Sequence, residues 1–145
     1  MGCDIHMHIE VKVESKWEHY AAPWVRRSYS LFEKLAGVRG EIENAIVAPK
    51  GLPYDMSIIT RKAFEKWEED AHSESWLSLE EICKLEEWLD DKNKNDVEYR
   101  WKIYDLERDV LNTFCEGYSF AGILRYPEEK PEWIEDVRFV FWFDN

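Results

Sequence analysis

The chain has 145 residues, 45% of them hydrophobic and 15% aromatic with eight tryptophans, a composition that excludes a disordered polymer and suits one domain. Its formal net charge is −12. A field of that sign repels phosphate backbones and anionic bilayers, so nucleic acid and membrane surfaces are poor partners, while a small anion needs a local cation or metal.

Gly2 to Val11 alternates strictly. Cys3, Ile5, Met7, Ile9 and Val11 are apolar, and Asp4, His6, His8 and Glu10 lie between them. Period two over this length predicts a strand with one core face and one wet face. Glu14-Ser15-Lys16 is a polar break and Trp17 to Tyr20 alternates again, so residues 3–21 read as a β-hairpin ended by Pro23. Ser28 or Ser30 caps a short helix over Leu31–Ala36, closed by Gly37. Residues 38–54, punctuated by Gly40, Pro49, Gly51 and Pro53, read as a loop of a length that often carries function.

Asp55 or Ser57 caps the next helix, about 57–69, with Ile58, Ile59, Ala63, Phe64 and Trp67 near helical spacing. Residues 70–76 read as a polar connector. Ser78 and Glu81 form a capping box for a helix to about Leu89, burying Leu79, Ile82 and Leu85, before a charged turn over 90–96. A longer helix is expected over about 97–115, with Trp101, Tyr104, Leu111 and Phe114 inward and Gly117 at its end. Pro127 and Pro131 bound a surface loop. Val137 to Phe143 is nearly all apolar and reads as a strand buried on both faces or central in its sheet, a neighbour for the first. The predicted class is α+β: a small, mostly antiparallel sheet, built from the N-terminal hairpin and the C-terminal strand, packed against about four helices in one domain.

Three cysteines, Cys3, Cys83 and Cys115, without a C-x-x-C pair fit buried thiols in a reducing compartment. No apolar run approaches 18 residues and no basic, hydrophobic leader precedes the first strand, so the expected location is the cytosol.

The row Asp4, His6, His8, Glu10 carries the chemistry. Alternate residues of a strand stand about 6.5–7 Å apart, so neighbours in the row can converge on one ion, whereas Asp4 and Glu10, about 20 Å apart, cannot share it. The metal reading takes Asp4, His6 and His8 as ligands, completed by His72 from the connector, with Glu10 or Glu74 as ligand or general base. Imidazole with carboxylate suits zinc or manganese, and an open position would hold an activated water. The plainer reading is that a small sheet displays polar residues on a wet face, and that His72 is a surface or capping residue. His19, among aromatics, suits a structural hydrogen bond. Arg26, Arg27 and Arg39 are cations able to hold a phosphate or carboxylate, with Asp55 as a further ligand-binding candidate. No dinucleotide fingerprint, Walker sequence or nucleophile elbow occurs.

Met-Gly-Cys-Asp-Ile-His at the start, Gly51-Leu52-Pro53 with Asp55 and Ser57, His72 to Leu77, and the ending VRFVFWFDN together resemble a family of small uncharacterised proteins from bacteria and their phages. Members of that family often read H-S-H-S-W-L where this chain has Glu74, and His8 varies among them, which moves weight to Asp4, His6 and Glu10. Three functions are therefore expected to compete. One is a small metal-dependent hydrolase of a phosphoester or nucleotide. Another is a non-catalytic protein that binds and sequesters a nucleotide-derived signal, with Asp4 and His6 bonding and arginines on the phosphates. The third is an acidic protein-interaction module. A small anionic ligand is the expected partner, with homo-oligomerisation open.

Overall fold

The structure is a computed structural model, and it describes residues 2–95 and 132–145. Strands β1 (Asp4–Val13) and β2 (Lys16–Ala21) form the expected hairpin. Glu14 and Ser15, with φ of 49° and 67°, make the two-residue turn, whose positive-φ residues match the right-handed twist of the paired strands. Helix α1 (Tyr29–Ala36) starts at Ser28, whose hydroxyl accepts from Leu31 N–H, and stops at Gly37, where φ is 72°. A single 3-10 turn, Ile42–Asn44, interrupts the loop that follows. Helix α2 (Ile58–Glu65), strand β3 (His72–Leu77), helix α3 (Leu79–Asn95) and strand β4 (Asp136–Asp144) complete the described chain.

The sheet has four strands in the order β2-β1-β4-β3, every neighbouring pair antiparallel. β4 lies between β1 and β3, so the last strand is central, and its seven residues from Val137 to Phe143 are all buried. Cross-strand partners share a face. Ile5, Met7, Ile9 and Val11 therefore stand with Phe143, Phe141, Phe139 and Val137. That face packs on Leu31, Phe32 and Leu35 of α1 and on Ile82, Leu85 and Leu89 of α3.

Three expectations change. Residues 72–77 are a strand rather than a connector, because β4 offers them a free edge, with an irregularity between His72 and Ser75. α3 runs on to Asn95 through the predicted charged turn. α2 is shorter than 57–69 and leaves Ile58 and Ile59 70% and 61% exposed. Its buried side chain is Thr60, because polar bonds to Glu10 set its rotation. The described residues hold three α-helices, and the fourth predicted helix, 97–115, lies outside them together with Cys115, Gly117, Pro127 and Pro131.

The other sheet face is wet only at its outer end, around Asp4 and His6. Asp4, His6, His8 and Glu10 stand with Asp144, Trp142, Val140 and Arg138. The segment through α2 covers the row: Ser57 and Thr60 bond Glu10, Phe64 meets Trp142, and Trp67 meets His6. His8 and Glu10 are consequently buried.

Candidate functional site

The polar row divides into three parts with different partners. At its inner end Glu10 is 0% exposed. One carboxylate oxygen accepts from Arg138 Nε at 3.0 Å and Nη2 at 2.8 Å, and the other from Ser57 N–H and Thr60 Oγ1, both at 2.8 Å. Arg138 Nη1 donates to Asp55 at 2.9 Å, and the guanidinium lies 4.0 Å from the Trp17 ring centroid. Burial alone would raise the Glu10 pKa, but the bonds from Ser57, Arg138 and Thr60 outweigh it and hold the carboxyl below its ordinary value. Glu10 and Asp55, expected as a catalytic and a ligand group, are joined through the buried Arg138 into one anchor for α2, with Glu10 buried and Asp55 exposed.

In the middle, His8 Nδ1 and His19 Nε2 lie 3.0 Å apart, so one imidazole donates to the other. His8 also stacks on Trp142 at 5.0 Å and 15°. Burial, and then the neighbouring His19, push the His8 pKa down to about 4; burial lowers that of His19 as well. The pair makes the structural hydrogen bond that His19 suggested.

The outer end is different: it is polar, partly exposed, and assembled from segments far apart in the chain. Asp4 and Asp144 face each other across β1 and β4. His6 donates from Nε2 to Asp144 Oδ2 at 2.6 Å while its ring rests against Trp67 at 4.3 Å and Trp142 at 6.0 Å. Arg27 grips Asp4 with Nε and Nη2, each at 2.9 Å, and this bond holds the Asp4 carboxyl below its ordinary range. Gly2 makes room for that grip, since a Cβ there would come within 2.3 Å of the guanidinium.

Around the strand ends, His72 Nε2 and Arg39 Nη2 both reach Asn145 Oδ1, at 3.2 and 3.4 Å, and Ser73 Oγ lies 3.1 Å from His72 Nδ1. Arg39 also stacks over Tyr29. His72 is the cross-strand partner of Phe143 and stacks on it at 6.1 Å. It therefore belongs to the sheet face opposite His6. The fold brings both imidazoles to the same end of the sheet but not onto one concave surface.

Of the expected residues, Asp4, His6, Arg27, Arg39 and His72 gather at this end. His8 and Glu10 lie deeper in the row. Glu74 is half-buried on β3, where its carbonyl accepts from Gly51 N–H, and Arg26 lies over Trp24 at 6.0 Å. Among the described residues no group of three or more His, Cys, Asp or Glu side chains is placed to hold a metal ion. In the expected ligand set, Asp4 is bonded to Arg27, His6 to Asp144, His8 to His19 and His72 to Asn145.

Sequence reasoning missed Asp144, Asn145 and Arg138. The signal was present: a carboxylate and an amide directly after an apolar strand, and one arginine inside it, need partners once that strand is central. Among the described residues no helix is long and apolar enough to cross a membrane. Comparison with protein-family models, with curated proteins and with solved structures finds no match for this chain.

Proposed function

We propose that the protein is a non-catalytic binder of a small anionic ligand, of the nucleotide-derived kind, held at the outer end of the sheet. The observation that carries this reading is the convergence of Arg27, Arg39, His6 and His72 on strand ends that also present Asp4, Asp144 and Asn145. In a chain of net charge −12, two guanidiniums and two imidazoles around one end of the sheet, with His6 and His72 on its opposite faces, form a local exception that suits phosphate. Arg27 changes partner, from Asp4 to the ligand, and Trp67, beside His6, offers an apolar ring for a base. The resemblance to phage proteins adds the role of sequestering a host signal in the cytosol.

Thermal denaturation with cyclic nucleotides and ADP-ribose derivatives tests the reading. At a hundredfold excess over Kd a ligand should raise the midpoint by about 5–10 °C, and chromatography should recover it unchanged. A smaller shift in Arg27→Ala is expected. No shift with any of these ligands in the wild type would refute it.

A second reading has one observation in its favour. The short bond from His6 to Asp144 orients an imidazole as general acids and bases are oriented, which suits hydrolysis of a phosphoester, with zinc or manganese as the candidate ion. Turnover of the ligand, together with stoichiometric metal lost in His6→Ala, would replace binding by hydrolysis.

A further inference from the structure

The two outer strands of the sheet end differently. The β3 edge is closed by the preceding loop: Gly51 N–H donates to the Glu74 carbonyl and Lys50 N–H to Ser75 Oγ, both at 3.0 Å. β2 has a strand neighbour on one side alone among the described residues. The pair closing a two-residue hairpin loop, here Val13 and Lys16, is a hydrogen-bonded pair, and such pairs alternate along a ladder. Lys16 and Glu18 thus turn their N–H and C=O groups toward β1, whereas Trp17 and His19 turn theirs outward.

Beside this edge runs an open groove of about 570 Å³, between Ser15–His19 and Asp55–Ile59. Ile58 and Ile59, the most exposed apolar side chains of α2, border it.

We infer that this edge joins a second copy of the same chain. Two β2 strands related by a two-fold axis perpendicular to the sheet pair antiparallel, turning two four-stranded sheets into one of eight. The side chains select the register. With Trp17 opposite the partner's Trp17, outward-pointing backbone groups meet and exchange two hydrogen bonds. The same register puts Lys16 opposite the partner's Glu18, and Glu18 opposite the partner's Lys16.

All four charges lie on the face away from Trp17, exposed in the monomer. Sliding by one pair in one direction brings Glu18 against the partner's Glu18, and in the other brings Lys16 against the partner's Lys16. On the Trp17 face the isoleucines of both copies border a shared groove and bury apolar surface that the monomer leaves in water. An isologous contact of this kind closes at two copies and does not propagate into fibres.

Sedimentation velocity over a wide concentration range tests the dimer, and charge exchange tests its register. The wild type is expected to sediment at twice the chain mass. Lys16→Glu alone and Glu18→Lys alone each convert two attractive cross-strand pairs into repulsive ones, and each should weaken the dimer about tenfold or more. The double exchange, Lys16→Glu with Glu18→Lys, should restore it. Circular dichroism of each variant separates dissociation from unfolding, since all the changed side chains are exposed. A wild type that stays monomeric throughout overturns the proposal. So does a dimer indifferent to both single reversals, or one that the double exchange fails to restore.

Discussion

Glu10 and Arg138 stand opposite each other on β1 and β4, 128 positions apart in the chain, and meet through two hydrogen bonds of 2.8 and 3.0 Å in a place closed to solvent. A buried charge is tolerated only when paired and fully bonded, and here the other carboxylate oxygen is occupied by Ser57 and Thr60. The pair thus settles which segment lies over the histidine row.

Removing one partner leaves the other charge uncompensated. Glu10→Ala should cost about 3–5 kcal/mol in urea denaturation, whereas Glu10→Gln, which keeps an acceptor for Ser57 and Thr60, should cost less. Equal losses for the two variants would show that packing, not the polar network, matters at this position.

The N-terminus of α2 depends on Ser57, whose hydroxyl accepts from Thr60 N–H at 3.2 Å. Ser57→Ala should destabilise by about 1 kcal/mol. The loss should fall on residues 57–67, seen as faster amide exchange there and not in α1 or α3.

Stability should fall on acidification below neutrality because of His8. Its pKa is about 4 in the fold against 6.5 as a free side chain, so between these values the unfolded chain binds more protons than the native one. The stability present above pH 6.5 is lost as the pH drops toward 4, on the order of 3 kcal/mol in all. Glu10 adds a second loss at lower pH: its contribution is complete above its ordinary value of 4.5 and disappears as the pH falls through the lower folded value. Urea midpoints measured across this range should slope in the wild type, and His8→Phe should flatten the segment between 4 and 6.5.

Arg27 separates binding from folding. It pairs with Asp4 in solvent, and such pairs contribute little to stability. Arg27→Ala should leave the denaturation midpoint in place while weakening the anionic ligand about tenfold or more. A parallel fall in both would make the arginine structural.

The hairpin, α1 and the start of α3 were legible because their determinants are local. Alternation of Cys3 to Val11, the Ser28 cap with Gly37, and the Ser78–Glu81 box act within a few residues of themselves. The central position of β4 was legible too, since a strand apolar on both faces has nowhere else to go. Of the site, Asp4, His6, Arg27, Arg39 and His72 could be singled out by residue type, but not their pairing.

That pairing belongs to the tertiary structure. The sequence by itself determined a small antiparallel sheet with a row of titratable groups along its first strand. Only the fold decided that His6 meets Asp144, that His72 takes the opposite face, and that α2 covers His8 and Glu10. These contacts join residues dozens to more than a hundred positions apart, and no periodicity within one segment encodes the partner that another segment will bring to it.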